Sequence, residues 1–292
     1  MAAALGAATA AGLVLAGPAG AFWTPQSGGT SNADSIDNLY KFTLAIAAVI
    51  FFGVEGALFY SLIKFKARKG AVAAQIRGNT RLEIGWTVGA AVIVVVLAAA
   101  TFTQLPGIRN PEESGPNGYS ASSGVADGVM VAAGSSKRLP PSGKSLNIKI
   151  NGQQYLWRFT YPDGDKNQLN NAFSYEELVV PVDTTVTLDI EAQDVAHSWW
   201  IPALGGKHDA LPGYTNHDWF KIPAKLAGTT FKGQCAELCG RNHANMIAQV
   251  KAVTPAQFEQ YLAQRKQDTK AADDAAAKQR KQVEAPVATA TP

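Results

Sequence analysis

The sequence predicts a two-helix transmembrane hairpin followed by an all-β sandwich. Three observations predict it: two long apolar runs in the first third of the chain, a dense cationic stretch between them, and a series of short β-type runs after residue 145. The first apolar run is Phe42 to Ile63 (FTLAIAAVIFFGVEGALFYSLI) and the second Ile84 to Leu105, which contains AAVIVVVLAAA and no charge after Ile84. Each is long enough to cross a hydrocarbon layer of about 30 Å as a helix. Over the whole 292 residues the average is unremarkable, with a net charge of +3 and 47% hydrophobic residues. That balance gives no reason to expect a nucleic-acid partner, and no Lys/Arg stripe interleaved with aromatics occurs.

Taken in order, residues 1–21 (MAAALGAATAAGLVLAGPAGA) form a short apolar run ending in Ala19-Gly20-Ala21, a small-x-small pattern that reads as a signal peptide. No Lys or Arg precedes Lys41, so the cationic start of such a peptide is missing and an uncleaved start is the competing reading. Residues 36–105 form the hairpin, with helices over 42–63 and 84–105. Lys64, Lys66, Arg68, Lys69, Arg77 and Arg81 crowd the segment between them. By the positive-inside rule the loop 64–83 is cytoplasmic, and the N-terminus and everything after residue 105 face outward. Glu55 falls in mid-membrane, where an ionisable group needs a partner; we read it as packed against another membrane subunit.

Residues 106–144 are rich in Pro, Gly and Ser (PEESGPNGYSASSG, SSKRLPPSGKS), the composition of a mobile linker. The β domain is expected over 145–267, from the runs LNIKI, YLWRFTY, ELVVPV, TVTLDIEA, HSWWIP, HDWFKI, TTFKGQ and MIAQVKAV. It ends in a helix over TPAQFEQYLAQRK, with Thr254 as N-cap and Pro255 at the first position. The tail 268–292 reads as disordered.

The only two cysteines lie close together in GQCAELCGRNHANM, as Cys235-x-x-x-Cys239, with His243 and Met246 just behind. Thiolates and imidazoles bind soft or borderline metals, and a thioether adds weak affinity for copper in particular. The glycines Gly233 and Gly240 and the strand-like flanks put these residues on a loop, and His197 in DVAHSWW is the best source of a further strong ligand. One Cys, two His and a weak Met make a mononuclear blue-copper site. A second Cys allows two thiolates to bridge two copper ions, which favours a binuclear electron carrier. Three rivals stand beside it. A Cys2His2 zinc site uses different spacings and has no need of Met246. A disulfide would suit an exported domain. A membrane-anchored copper-delivery protein uses Cys-x-x-x-Cys with a distant His, but on a thioredoxin-like domain with a single anchor.

The pattern Cys235-x-Glu237-x-Cys239-x-x-x-His243-x-x-Met246, with His197 upstream in HSWWIP, resembles the copper A loop of subunit II of cytochrome c oxidase. NTRLEIGWT, GQQYLWRFTYP and DVAHSWWIPALGGKHDALPG also resemble that family, and the likeness covers roughly residues 36–265. The resemblance implies a cupredoxin-like sandwich that takes electrons from cytochrome c and passes them to heme a in subunit I of an aa3-type-like oxidase, for reduction of oxygen coupled to proton pumping. It implies copper A ligands at His197, Cys235, Cys239, His243 and Met246 and at the backbone carbonyl of Glu237. The Glu237 side chain matches a ligand of a magnesium ion shared with subunit I. Heme a and copper B belong to subunit I alone. Glu83 matches a carboxylate at the mouth of a proton pathway. Tyr155 stands where the family has the aromatic that first receives the electron, with Trp157 retained, and Tyr214 replaces an Arg. Asp163, Asp165, Glu176, Glu177 and Asp194 are candidates for a face that docks a basic cytochrome c, Asp194 above all. His208 and His217 read as hydrogen-bonded structural residues, and Trp199 and Trp200 as packing. Implied partners are subunits I and III and cytochrome c in a bacterial-type plasma membrane. A quinol oxidase subunit of the same fold lacks the copper ligands, and the copper domain of nitrous-oxide reductase would follow a large propeller.

Overall fold

The computed structural model describes residues 24–119, 139–162 and 171–284, apart from 68, 71 and 73. The segment 1–21, Arg68, Asp163 and Asp165 lie outside the described residues. Helix α1 spans Ser31–Lys64 and α2 spans Thr80–Arg109. Both are longer than the apolar runs they contain, because each gains a polar first turn with its own cap. Ala33 N–H donates to Thr30 Oγ1 (3.2 Å), and Asp34 sits in the first turn, where a negative charge suits the helix dipole. Leu82 N–H donates to Asn79 Oδ1 (3.2 Å), while Asn79 N–H donates to the Glu83 carboxylate (3.2 Å). Glu83 therefore closes the start of α2, as a capping carboxylate does. Both helices are long and apolar enough to cross a membrane, and no described residue of α2 is buried. Phe51, Phe52, Val94 and Val95 are exposed, as lipid-facing side chains would be.

The chain divides into two compact units, a hairpin and a β domain, and the second includes residues 27–34 as well as 107 onward. The β domain contains β1 (Leu146–Gln153), β2 (Leu156–Thr160), β3 (Phe173–Tyr175), β4 (Glu177–Pro181), β5 (Thr185–Ala192), β6 (His197–Trp199), β7 (His208–Ala210), β8 (Asn216–Lys221), β9 (Thr230–Gln234) and β10 (Ile247–Val253). One sheet runs β3-β2-β1-β5-β8, a second β4-β10-β9, and β6 pairs with β7 alone. The β1–β5 and β4–β10 pairs are parallel and the others antiparallel. Alternation decides which side chains meet between the sheets. Ile148, Ile150, Trp157, Phe159, Leu188 and Ile190 from the first sheet join Leu178, Val180, Val250 and Ala252 from the second in one buried cluster. Each such aliphatic or aromatic side chain contributes about 1.5–3 kcal/mol by leaving water.

The last helix, α3 (Pro255–Glu284), opens on a reciprocal cap: Gln257 N–H donates to Thr254 Oγ1 (3.3 Å) and Thr254 N–H to Gln257 Oε1 (3.0 Å). Phe258 and Leu262, one turn apart, are buried against the sandwich, with Phe258 edge-on to Tyr119 at 5.0 Å. This helix does not stop near 267. It runs to Glu284, so the tail expected to be disordered from 268 is helical as far as it is described. Its Ala, Lys, Gln and Arg residues are strong helix formers, and Gln264 and Arg265 each bond Asp268 along the helix.

The segment 106–144 also departs from expectation. Helix α2 carries Pro106 and ends at Arg109. Residues 111–119 then lie on the β domain: Gly115 N–H donates to the Asp183 carbonyl (2.8 Å), Tyr119 N–H to Thr184 Oγ1 (2.7 Å), and Lys221 pairs with Glu112 (2.8 Å). The stretch PEESGPNGY is therefore a packed strap, and of the expected linker 120–138 lie outside the described residues. Residues 27–34 are held in the same unit. Thr30 Oγ1 donates to the Leu204 carbonyl (3.1 Å) and Asn32 Nδ2 to the Trp219 carbonyl (2.8 Å), both at buried positions. Asn32→Ala should lower β-domain stability by about 1–3 kcal/mol, the cost of losing a buried polar contact. Thermal unfolding of the full chain in detergent measures it, and an unchanged midpoint would mean the segment is not docked.

Candidate metal centre

The site grows from the end of the β9–β10 ladder. Beyond the last strand pair, Ile247↔Gln234, Cys235 N–H donates to the Met246 carbonyl (2.9 Å), so the loop 235–246 closes on its own ends. A 3-10 turn over His243–Asn245 bends it back, and Ala236 N–H donates to the Ser198 carbonyl (2.9 Å), which brings the loop against β6 and hence His197. Gly233 makes this approach possible: any Cβ there would collide with the Trp200 carbonyl. Gly152 does the same for β1, since a Cβ would lie 3.0 Å from the Trp157 ring and 3.1 Å from that of His197.

The side chains form a row. His197 Nδ1 lies 3.9 Å from Cys235 Sγ, Cys235 Sγ lies 3.9 Å from Cys239 Sγ, and Cys239 Sγ lies 3.6 Å from His243 Nδ1. The Glu237 carbonyl oxygen is 3.2 Å from Cys235 Sγ at one end, and Met246 Sδ is 3.9 Å from Cys239 Sγ at the other. Both cysteines are free and buried. His197, Cys235 and Cys239 form a buried group whose donor atoms lie within 4.8 Å of one another, tight enough for one metal site. Met246 is buried behind them, and His243 is half-buried.

Charge follows this packing. Burial opposes ionisation of Cys235, but hydrogen bonding with His197, with the backbone of Glu237 and Ser198, and with His243 outweighs it and brings the thiol down to about 6. Cys239 is pushed up to about 11 by burial and by repulsion from Cys235. Burial would lower His197, yet its bonds to Cys235 and Asp194 hold it above the usual imidazole range. Asp194 is turned inward: its Oδ1 accepts from His197 Nε2 (2.9 Å), and its carboxylate also accepts the N–H groups of Gln154 and Val195, both at 2.7 Å. Burial pushes Asp194 up and these bonds more than reverse it. With Nε2 occupied, His197 presents Nδ1 to the thiols, the orientation a second partner imposes on a metal-binding histidine.

The other residues singled out from the sequence fall as follows. Tyr155 is half-buried, with its hydroxyl over Gly240. Trp157 is fully buried behind His197, its ring 5.9 Å from the imidazole and 5.4 Å from Trp199. The Glu237 side chain is exposed. Glu83 caps α2, Tyr214 is exposed, and Glu176 and Glu177 lie on β4 and the turn before it. His208 and His217 stand outside the donor row, facing Asp218 (3.3 Å) and Asp189 (2.6 Å). Gln154 was not anticipated; a polar residue in a turn carries no periodic signal.

A β-sandwich with a buried group of two thiols and an imidazole that could hold a metal ion, joined to two helices apt for a bilayer, fits the class of membrane proteins with a metal-binding domain. Comparison with known proteins makes this specific. Residues 146–253 match the family model for the periplasmic domain of cytochrome c oxidase subunit II, and residues 20–104 match its transmembrane domain. The chain belongs to the cytochrome c oxidase subunit II family, with its two apolar helices and cupredoxin-like β domain. A cytochrome c oxidase subunit 2 of Cereibacter sphaeroides is 31% identical over 279 residues, covering 82% of this chain and 81% of its own. Another, of Alkalihalophilus pseudofirmus, is 32% identical over 75% of this chain, which spans 54% of that relative's length. The solved periplasmic domain of subunit II of the Bradyrhizobium japonicum cytochrome oxidase aligns at 31% identity over 42% of this chain and 95% of its own, with a TM-score of 0.38.

His208 supplies a pH test. Burial lowers its pKa, but the Asp218 and Asp209 carboxylates raise it above 6.5. A folded pKa above the unfolded one contributes stability that is complete below the unfolded value and is lost as pH rises through the folded one. The stability difference between the wild type and His208→Gln should therefore shrink from pH 6 to pH 8 in denaturant melts; a difference that grows with pH would refute the pairing.

Proposed function

We propose that the chain is the electron-accepting subunit of an aa3-type-like cytochrome c oxidase and that the donor row holds a binuclear copper A centre. One observation carries this: two reduced, buried thiols face each other at 3.9 Å, each with an imidazole on its outer side. An S–S bond is about 2.05 Å, so the two sulfurs are not joined, which supports reading them as separate ligands. The donor chemistry fits copper. Cys235, Cys239, His197 and His243 would hold the copper, with the Glu237 carbonyl and Met246 as weaker donors. A copper pair, when bound, supplies one-electron redox chemistry shared between the two ions.

The remaining contributions belong to the chain's own residues. Burial of His197, Cys235, Cys239 and Met246 excludes water, and the backbone pairs at the loop base keep the donors in place through a change of oxidation state. Asp194 orients His197. Tyr155, half-exposed over the loop, is the first acceptor in this reading, with Trp157 behind His197 on the inner side. The exposed Glu237 carboxylate would share a magnesium ion with subunit I, hard oxygen suiting a hard cation. Glu83 would stand at a proton-pathway mouth on the cytoplasmic side, and the basic loop 64–83 directs the β domain outward. Cytochrome c would be the donor, subunit I, which carries heme a and copper B, the acceptor, and subunit III a further neighbour. The complete donor set argues against a quinol oxidase subunit, and two apolar helices against a copper-delivery protein with a single anchor.

The test is electron paramagnetic resonance on the full chain loaded with copper in detergent. The expected signal is one unpaired electron spread over two equivalent copper nuclei, absent in Cys239→Ser. A single-copper pattern in the wild type, or a zinc-only protein, would overturn the binuclear reading.

A further inference from the structure

The β1–β2 turn bonds both Asp194, the partner of His197, and the backbone of Cys239. Gln154 follows the last β1 residue, and its backbone N–H donates to Asp194 Oδ2 (2.7 Å), while Asp194 Oδ1 accepts from His197 Nε2 (2.9 Å). The Gln154 side chain reaches the other way: Nε2 donates to the Cys239 carbonyl at 2.6 Å. Asp194 is fixed from a further side, since Gln193 N–H donates to the Gly152 carbonyl (3.0 Å). These bonds complete a circuit, His197 to Asp194 to Gln154 to Cys239, which returns to His197 across the two sulfurs.

Close packing leaves the turn and the loop no slack. Gly240 has φ +132°, and a Cβ there would come within 2.9 Å of Gln154 Nε2 and 2.5 Å of the Tyr155 hydroxyl. The residue after Cys239 is thus pressed against the turn that carries Tyr155. Within this turn, the Gln154 amide is the side-chain hydrogen bond that spans to the loop; the other restraints on loop 235–246 described above are bonds between its own ends or from β6.

We propose that Gln154 is a positioning residue for the metal centre: it fixes the Cys239 half of the donor row and, through its own backbone and Asp194, the His197 half, so that the two halves stay equivalent. The proposal rests on the binuclear reading above. Gln154 makes no contact with a donor atom itself. It acts by holding a ligand's carbonyl and by seating the Tyr155 ring on the same loop, and hydrogen bonds of this kind around ligands set both geometry and electronic character. A surface that meets Tyr155 is thereby linked mechanically to Cys239.

The experiment compares the wild-type full chain with Gln154→Leu, which keeps the size and removes the donor. Gln154→Asn, one methylene too short to reach the carbonyl, is the second variant should Gln154→Leu fail to fold. In the copper-free chain, amide hydrogen exchange over 236–243 should quicken about fivefold, the loss of one hydrogen bond. In the copper-loaded chain, the hyperfine pattern should lose its equivalence between the two nuclei. Unchanged exchange overturns the tether. Faster exchange with an unaltered hyperfine pattern overturns the positioning role and leaves a purely structural tie. A wild-type chain that binds no copper pair overturns the metal reading and the positioning role with it, while the exchange data still report on the tether.

Discussion

Two cysteine thiols lie buried and adjacent without joining, and the loop, β6 and the β1–β2 turn are packed around them. Their separation of 3.9 Å is almost twice a disulfide bond. The backbone enforces it. Cys235 is paired to Met246 as an extension of the β9–β10 ladder, and its neighbour Ala236 is held by Ser198 of β6. Cys239 lies beyond the reach of those pairs and is held from the β1–β2 turn instead. The two sulfurs thus belong to different restraints, one from each side of the loop. The same packing divides their acidity, leaving one thiol far easier to ionise than the other.

The histidines illustrate how second partners decide what a ring can do. His197, His208 and His217 each face an aspartate, yet only His197 has sulfur on its other nitrogen. Asp194 gains its meaning from this: a carboxylate on the surface of a sequence reads as something a partner would meet, whereas here it accepts three hydrogen bonds from its own chain.

That Cys235, Cys239, His243 and Met246 would lie close together was legible in the sequence because they share one short loop, and His197 joins them from β6. The strands were legible because alternation survives wherever one face of a strand is buried. What the residues did not disclose depends on contacts distant in sequence. PEESGPNGY has the composition of a linker, and nothing within it announces that Asp183, Thr184 and Lys221 are waiting for its backbone and its glutamate. Residues 268–284 have a composition that suits either a solvated helix or a disordered tail, and helix propensity decides it. The short strands β3 and β7 are only three residues each, too brief to show a period. Gln154 and Asp194 gain their roles from a turn and a bend brought together over 40 positions.

The docking of residues 27–34 has a consequence for the order of events when the chain is made. Asn32 bonds Trp219, and the two are 187 positions apart. At about 5–20 residues per second, synthesis places roughly ten to forty seconds between the emergence of one partner and of the other. During that interval residues 27–34 exist without the surface that will receive them. Residues 27–34 are therefore made well before the surface they dock on, and completion of the β domain is the step that locks them in.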